Sequence, residues 1–272
     1  MSTMAGKNSQ AERIAQHPTF ERFARAGYVM TGVVHLIIGY IALRLAFGEG
    51  GGTADQSGAM AEVAAQPGGV FVLWVAVIAF VLLALWRLAE AFFGSASKPD
   101  HADKKHEAFR RGKAFALTIV YLAFAFTALS FARGAGKSSS SESRSWSARL
   151  MESTGGKVLL VLIALVIIGV GGYHLYKGAS KKFLKDLQGG VSQLVRRMGM
   201  TAYIVKGLAI AAIGVLLIVA TFHSKPDEVS GLDGALKTLG AQPYGVILLV
   251  VAALGIIVYG LYSFVMARFA KM

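Results

Sequence analysis

Six apolar runs constrain this chain more than any other feature. They are Ala26–Leu43, Val70–Trp86, Ala114–Ala132, Val158–Tyr176, Met198–Phe222 and Pro243–Ala267, and Lys206 is the only formal charge inside them. Each is near the ~20 residues that carry a helix across ~30 Å of hydrocarbon at about 1.5 Å per residue. Unpaired backbone is too costly in hydrocarbon for anything but helices or a closed barrel, and no period-2 alternation points to a barrel. The first run is too long for the apolar core of a signal peptide and has no small-residue cleavage site, so it reads as a retained span. The expected fold is all-α: a polytopic membrane protein with six transmembrane helices.

Composition agrees. Apolar residues make up 55% of the chain and charged residues 16%, with a mean hydropathy of +0.56. A water-soluble globule needs more charge to cover its surface. The formal charge of +13 would suit nucleic acid if it formed a patch on a polar domain. Here the basic residues bracket the apolar runs, so the expected partners are the bilayer and its anionic headgroups, not nucleic acid. The chain has no cysteine, hence no disulfide framework, thiolate metal site or cysteine nucleophile.

Lys and Arg collect on one side of the spans. The N-terminal segment carries Lys7, Arg13, Arg22 and Arg25, and the second connection runs from Lys98 to Lys113. The fourth connection carries Lys177, Lys181, Lys182, Lys185, Arg196 and Arg197, and the C-terminus carries Arg268 and Lys271. The opposite side mixes fewer basic residues with Glu49, Asp55, Glu62, Glu142, Glu152 and Asp233. Positive residues stay inside, so both termini are expected in the cytoplasm of a bacterial plasma (inner) membrane protein.

The spans come in pairs, and the pairs repeat. GAMAEVAAQPGG at Gly58–Gly69 returns as GALKTLGAQPYG at Gly234–Gly245, and a weaker copy, SWSARLMESTGG, occupies Ser145–Gly156. Each copy opens an apolar run. Met60, Val63 and Ala64, like Leu236, Leu239 and Gly240, share one face of a short helix. Gln66-Pro67 before Gly69, and Gln242-Pro243 before Gly245, then end that helix and are placed to start the next in its first turn. The middle copy has Ser153-Thr154 in place of Gln-Pro and is expected to turn less sharply. Each outgoing helix starts beside a basic cluster and a glycine (Arg25-Ala-Gly27, Arg111-Gly112, Arg197-Met-Gly199). The returning helices end in Leu85-Trp86-Arg87, Leu175-Tyr176-Lys177 and Leu261-Tyr262-Ser263, an aromatic and basic anchor at the boundary whose charge Ser263 drops.

The expected units are a cytoplasmic segment 1–19, hairpin repeat 20–94, a linker 95–108, hairpin repeat 109–177, a connection 178–194, and hairpin repeat 195–272 with the C-terminus. Three units that begin and end on the same side are parallel repeats that fit a pseudo-threefold axis along the membrane normal. The connection reads as a basic amphipathic surface helix. Its Phe183, Leu184, Leu187, Val191 and Leu194, with Val195 just beyond, oppose Lys181, Lys182, Lys185 and Arg196, with Gly189-Gly190 able to split it.

Taken together, the basic-glycine start, the Gly-Ala-hydrophobic run, the Gln-Pro-hydrophobic-Gly turn and the Leu-aromatic-basic exit resemble the domain-of-unknown-function 1206 membrane proteins of bacteria, of the actinobacterial type. The resemblance spans roughly residues 20–270. It implies six helices in three repeated pairs and brings no activity and no site residues. The second repeat departs at the turn and lacks the glycine corresponding to Gly32.

Ionisable groups inside hydrocarbon cost on the order of 2.5–3.5 kcal/mol each, so they are where chemistry is sought. Lys206 and His35 are the candidates for an intramembrane polar pathway. The plainer alternatives are a snorkelling or internally paired lysine and a histidine bonded to a neighbouring helix. Arg87 with Glu90, together with Trp86, His174, Tyr176 and Lys177, reads as an interfacial pair or anchor. Gly32 with Gly39, Gly207 with Gly214, and Gly169, Gly171, Gly172, Gly255 and Gly260 read as close helix contacts. No HExxH, GxSxG, P-loop or intramembrane carboxylate pair is present, and the six histidines have no ligand-like spacing. The chain is therefore read as a non-enzyme with no metal and no cofactor. Two functions fit: a small-solute or ion translocator with its pathway at the seam of the repeats, or a non-catalytic scaffold binding anionic lipid, a protein partner or further copies of itself.

Overall fold

Hydrocarbon-length helices dominate the computed structural model, which describes residues 18–49, 52–93, 104–226 and 231–270. Residues 1–17 of the N-terminal segment and 95–103 of the linker lie outside the described residues. The spans are α1 (Pro18–Ala46), α3 (Gly69–Phe93), α4 (Lys104–Ala132), α6 (Thr154–Ala179), α7 (Gln193–His223) and α9 (Gly245–Phe269). All six are long and apolar enough to cross a membrane, and the protein is a multi-pass membrane protein. Pro18 is the first residue of α1, where the missing N–H has no intrahelical partner to lose. Helix α4 starts inside the expected linker, at Lys104.

A short helix precedes each returning span: α2 (Gln56–Ala65), α5 (Ser139–Met151) and α8 (Gly231–Gly240). The expected faces are the packed ones. Met60 is buried with Leu73, Ala76 and Ala128, with Val63 and Ala64 against them. Leu236 is buried with Ile38, Leu249 and Ala253, with Leu239 beside them. The prolines, however, sit in the turn and not in the first turn of the next helix. The amide of Gly69 donates to the Gln66 carbonyl, and that of Gly245 to the Gln242 carbonyl, at 2.9 and 2.8 Å. The third turn residue has positive φ, 77° at Gly68 and 64° at Tyr244. Proline followed by positive φ is the type II pattern. The closing glycine is steric: a Cβ at Gly69, Gly156 or Gly245 would collide with the carbonyl oxygen of Val63, Leu150 or Gly240. The middle copy therefore turns as tightly as the others, against expectation. Ser153 takes over from proline by accepting the Gly156 amide at 3.0 Å as the cap of α6.

The closest-packed pairs join neighbouring repeats. They are α3 on α4, α6 on α7, and α9 back on α1, so the last span closes against the first. Glycine sets the approach. A Cβ on Gly32 would lie 3.0 Å from the Gly260 carbonyl oxygen, and one on Gly207 would lie 2.8 Å from that of Gly171. Gly39 and Gly214 meet the Ala253 and Ala164 carbonyls in the same way, at 3.2 and 2.9 Å. In the α3–α4 pair the buried small residues are Ala76, Ala84, Ala114, Thr118, Ala125 and Ala128. Two of the glycines expected to pack do not: Gly169 and Gly172 face open space. Within repeats, α7 packs on α9 and α1 touches α3, whereas α4 and α6 at most graze each other.

The connection after α6 is not an amphipathic helix. Lys181 adopts left-handed backbone, a 3-10 turn covers Lys182–Asp186, and the chain then runs extended with Gly189 at φ 73°. Leu187 bridges to Ala270, and the Gln188 amide donates to the Phe269 carbonyl at 2.6 Å. Its apolar residues do point inward. Phe183 is wholly buried among Tyr203, Tyr262 and Gly199, which a helix in the headgroup plane would not allow. Arg25 clamps the same end by donating to the Ala267 and Arg268 carbonyls at 2.7 and 2.6 Å. The free carbonyls of a helix C-terminus favour such a cation. This end, where α1 begins and α9 ends, is called the terminal face below, and the end bearing α2, α5 and α8 the loop face.

Candidate functional site

Lys206 of α7 and His35 of α1 meet at a residue the sequence reading passed over. The Lys206 ammonium donates to the Tyr259 hydroxyl of α9 at 2.6 Å and lies 4.5 Å from the centre of the tyrosine ring. The His35 ring packs on the same tyrosine, with centroids 4.6 Å apart at 59°. Nδ1 of His35 lies 2.8 Å from the Thr31 carbonyl. With its proton donated there, Nε2 is left as the acceptor nitrogen. Tyr259 is 7% exposed. The lysine is thus internally paired, to a hydroxyl; among the described residues no carboxylate lies within ion-pair distance of it.

Toward the terminal face the site continues into an aromatic layer. Tyr203 stacks on Phe183 and on His174, with centroids 5.4 and 6.0 Å apart, and Tyr262 meets both Phe183 and Tyr203 edge-on. Lys177 sits 5.0 Å over the Tyr203 ring and pairs with Asp186 at 2.6 Å. His174 bonds the Val170 carbonyl through Nδ1 at 2.8 Å. Lys206 is within electrostatic reach of both histidines. Lys177 and His174, read as boundary anchors, therefore border the polar interior. Arg87 pairs with Glu90 at 2.6 Å, and Tyr28 of α1 lies within reach of Arg87, Tyr121 and Tyr259. Tyr176 keeps an anchor's geometry: it is exposed, its hydroxyl accepts from Lys182 at 2.5 Å, and Lys182 lies over its ring.

A second polar cluster, also unread in the sequence, ties the loop face together. Asp55 caps α2 by accepting the Gly58 amide at 2.9 Å, and also accepts from Ser57 and from Ser140 of α5 at 2.5 and 3.1 Å. The Ser139 amide donates to Ser57 at 3.0 Å. Asp233 of α8, fully buried, accepts the Ala54 amide at 2.9 Å and the Lys237 ammonium at 2.7 Å. All three repeats contribute, so these bonds tie the short helices and their approaches together at this end. Among the described residues no three His, Asp or Glu side chains gather as metal ligands.

A family model described as Domain of Unknown Function (DUF1206) matches residues 26–94, 112–181 and 201–270, one match per repeat. The chain belongs to the DUF1206 family. One relative of the DUF1206 chain is the uncharacterized protein YxxB of Bacillus subtilis (strain 168). It is 30% identical over 269 residues, 96% of this chain and 95% of the relative. No solved structure matches. Counting from the start of each DUF1206 match, Gly32, Thr118 and Gly207 occupy one position, which names the residue that stands for glycine in the second repeat. On the same count Lys206 corresponds to Thr31 and Leu117, and His35 to Tyr121 and Ile210. Counted back from the ends, Tyr259 corresponds to Leu83 and Val170. The site lies where the three DUF1206 copies differ, whereas the glycine beside Lys206 recurs in the first copy as Gly32.

Proposed function

We propose that this chain is a bacterial plasma-membrane translocator of a small solute or ion, with His35, Tyr259 and Lys206 as its polar station. One observation carries the reading: two intramembrane ionisable residues from different repeats converge on one tyrosine, and a hydroxyl, not a carboxylate, answers the lysine's charge. Helix packing alone does not require so costly a cation in hydrocarbon. The loop face, tied together by Asp55 and Asp233, fits a carrier resting with access from the terminal face. Both termini are then cytoplasmic, by the excess of Lys and Arg at their end.

The test is flux through purified protein in liposomes, using chloride, inorganic phosphate and acetate as probes with a pH-sensitive dye for coupled protons. The expected result is flux above that of empty liposomes, falling at least about tenfold in Lys206→Gln, as for removal of one well-placed charge worth ~1.4 kcal/mol. Wild-type liposomes no leakier than empty ones to every probe would overturn the proposal.

The scaffold reading keeps one observation of its own. Leu194 is exposed beside Arg196 and Arg197 at the terminal face, a pairing that suits an anionic membrane surface or a partner resting on it. It predicts no flux, and membrane association of a partner that weakens when Arg196 and Arg197 are neutralised.

A further inference from the structure

The ring of spans is open in one place. Neighbouring helices are packed in series from α4 through α3, α1, α9 and α7 to α6, and between α6 and α4 the series stops. Lys113 of α4 and Lys177 of α6 stand on the helices that flank this opening, and apolar residues follow them toward the loop face. Around His174 of α6, three ammonium groups come within electrostatic reach: Lys206 of α7, Lys177 of α6 and Lys113 of α4. Only Lys177 has a carboxylate, Asp186. Among the described residues none pairs with Lys113 or Lys206. Toward the loop face the same sides of the two helices carry Val120, seven residues beyond Lys113, and Val170 and Ile163, four and eleven residues before His174. All three are exposed large hydrophobics.

We propose that the α4–α6 opening holds one anionic phospholipid, its phosphate beside Lys113 and Lys206 and an acyl chain along Val120, Val170 and Ile163. Charge and shape together select this occupant. Cations without a carboxylate call for an anion, the apolar strip continuing from them toward mid-membrane calls for a chain, and a lipid joins the two at the spacing of head and tail. An ammonium close to an anionic headgroup contributes enough to shift retention several-fold. The site shares Lys206 with the transport station, but a resident lipid is compatible with flux or with none, so the two readings fail independently.

The experiment is native mass spectrometry of the full-length protein in a neutral detergent, given equal amounts of phosphatidylglycerol and phosphatidylcholine of matched chains. The expected result is one tightly retained phosphatidylglycerol. Retention should fall about fivefold in Lys113→Gln, the size of one lysine–lipid attraction. It should also fall in Val170→Trp, which fills the apolar strip from an exposed position, and stay unchanged in Lys225→Gln, which follows α7 at the loop face. Equal retention of phosphatidylcholine, or no loss in Lys113→Gln or in Val170→Trp, would overturn the site. Displacement of the lipid by inorganic phosphate would assign the cations to a soluble anion instead, and would also overturn it.

Discussion

A single methyl group reports how closely these helices approach. On Gly207 a Cβ would lie 2.7 Å from the Leu175 amide nitrogen and 2.8 Å from the Gly171 carbonyl oxygen, both backbone atoms that move only with their helix. Gly207→Ala should therefore lower stability by about 1–3 kcal/mol, the usual cost of overpacking. Gly172, one residue from Gly171, has nothing within 4 Å of its would-be Cβ. Gly172→Ala should leave stability unchanged or raise it by up to ~1 kcal/mol, because alanine loses less backbone entropy in a helix. Thermal unfolding in detergent separates the two by sign. The sequence showed that Gly169, Gly171 and Gly172 lie close together, but spacing cannot say which of them meets another helix. The same limit applies at the site. Lys206 and His35 were legible because a polar group in hydrocarbon is costly. Tyr259 was not, because tyrosine is ordinary at membrane boundaries and its depth shows only when Lys206 is found bonded to it. The signal available was a tyrosine four residues before Ser263 in a charge-free run, on a helix whose glycines already announced close neighbours.

At the level of elements, the short helices before the returning spans matter as fasteners more than as surface features. Asp55 caps α2 and reaches Ser140 on α5 with the same carboxylate, so one side chain holds two repeats. Asp55→Ala should cost about 1 kcal/mol for the lost cap and a further ~1–3 kcal/mol for buried donors left unpaired. Hydrogen exchange should quicken in α2 and in the first turn of α5, with the middle of α3 unaffected. Quickening confined to α2 would mean that the bond to Ser140 holds nothing in place. The helices themselves and their faces were readable from Met60, Val63, Leu236 and Leu239. Their joining was not, since Asp55 and Asp233 look like ordinary loop acids until the Ser140 hydroxyl and Ala54 amide are seen pointing at them. The connection after α6 failed for a related reason. Its alternation of Phe183, Leu187 and Lys fits a helical wheel, yet the apolar residues gain more by filling the gap above Tyr203 and Tyr262 than by lying on lipid.

For the whole molecule, the repeat in the sequence and the unit of packing are offset by one helix. A repeat runs out and back through its short helix, but the tight contacts form between the returning span of one copy and the outgoing span of the next. Closing α9 onto α1 lets the last copy complete the first, and Arg25 seals that join across the ends of the chain. The described ends of α3, α6 and α9 lie at the terminal face, which is also where Lys and Arg accumulate. That coincidence makes orientation the decisive global prediction. Because the chain has no cysteine, single cysteines report sidedness without background. Ser143→Cys on α5 and Gln188→Cys after the 3-10 turn both occupy exposed positions at opposite ends. Positive residues resist translocation, so Ser143→Cys should react with a membrane-impermeant maleimide on intact cells, and Gln188→Cys only after permeabilisation. The reverse pattern would put the basic end, the Lys206 station and the cationic mouth of the α4–α6 opening on the outside. The carrier would then rest facing outward, and its lysines would meet the outer leaflet's lipids in place of the anionic inner ones.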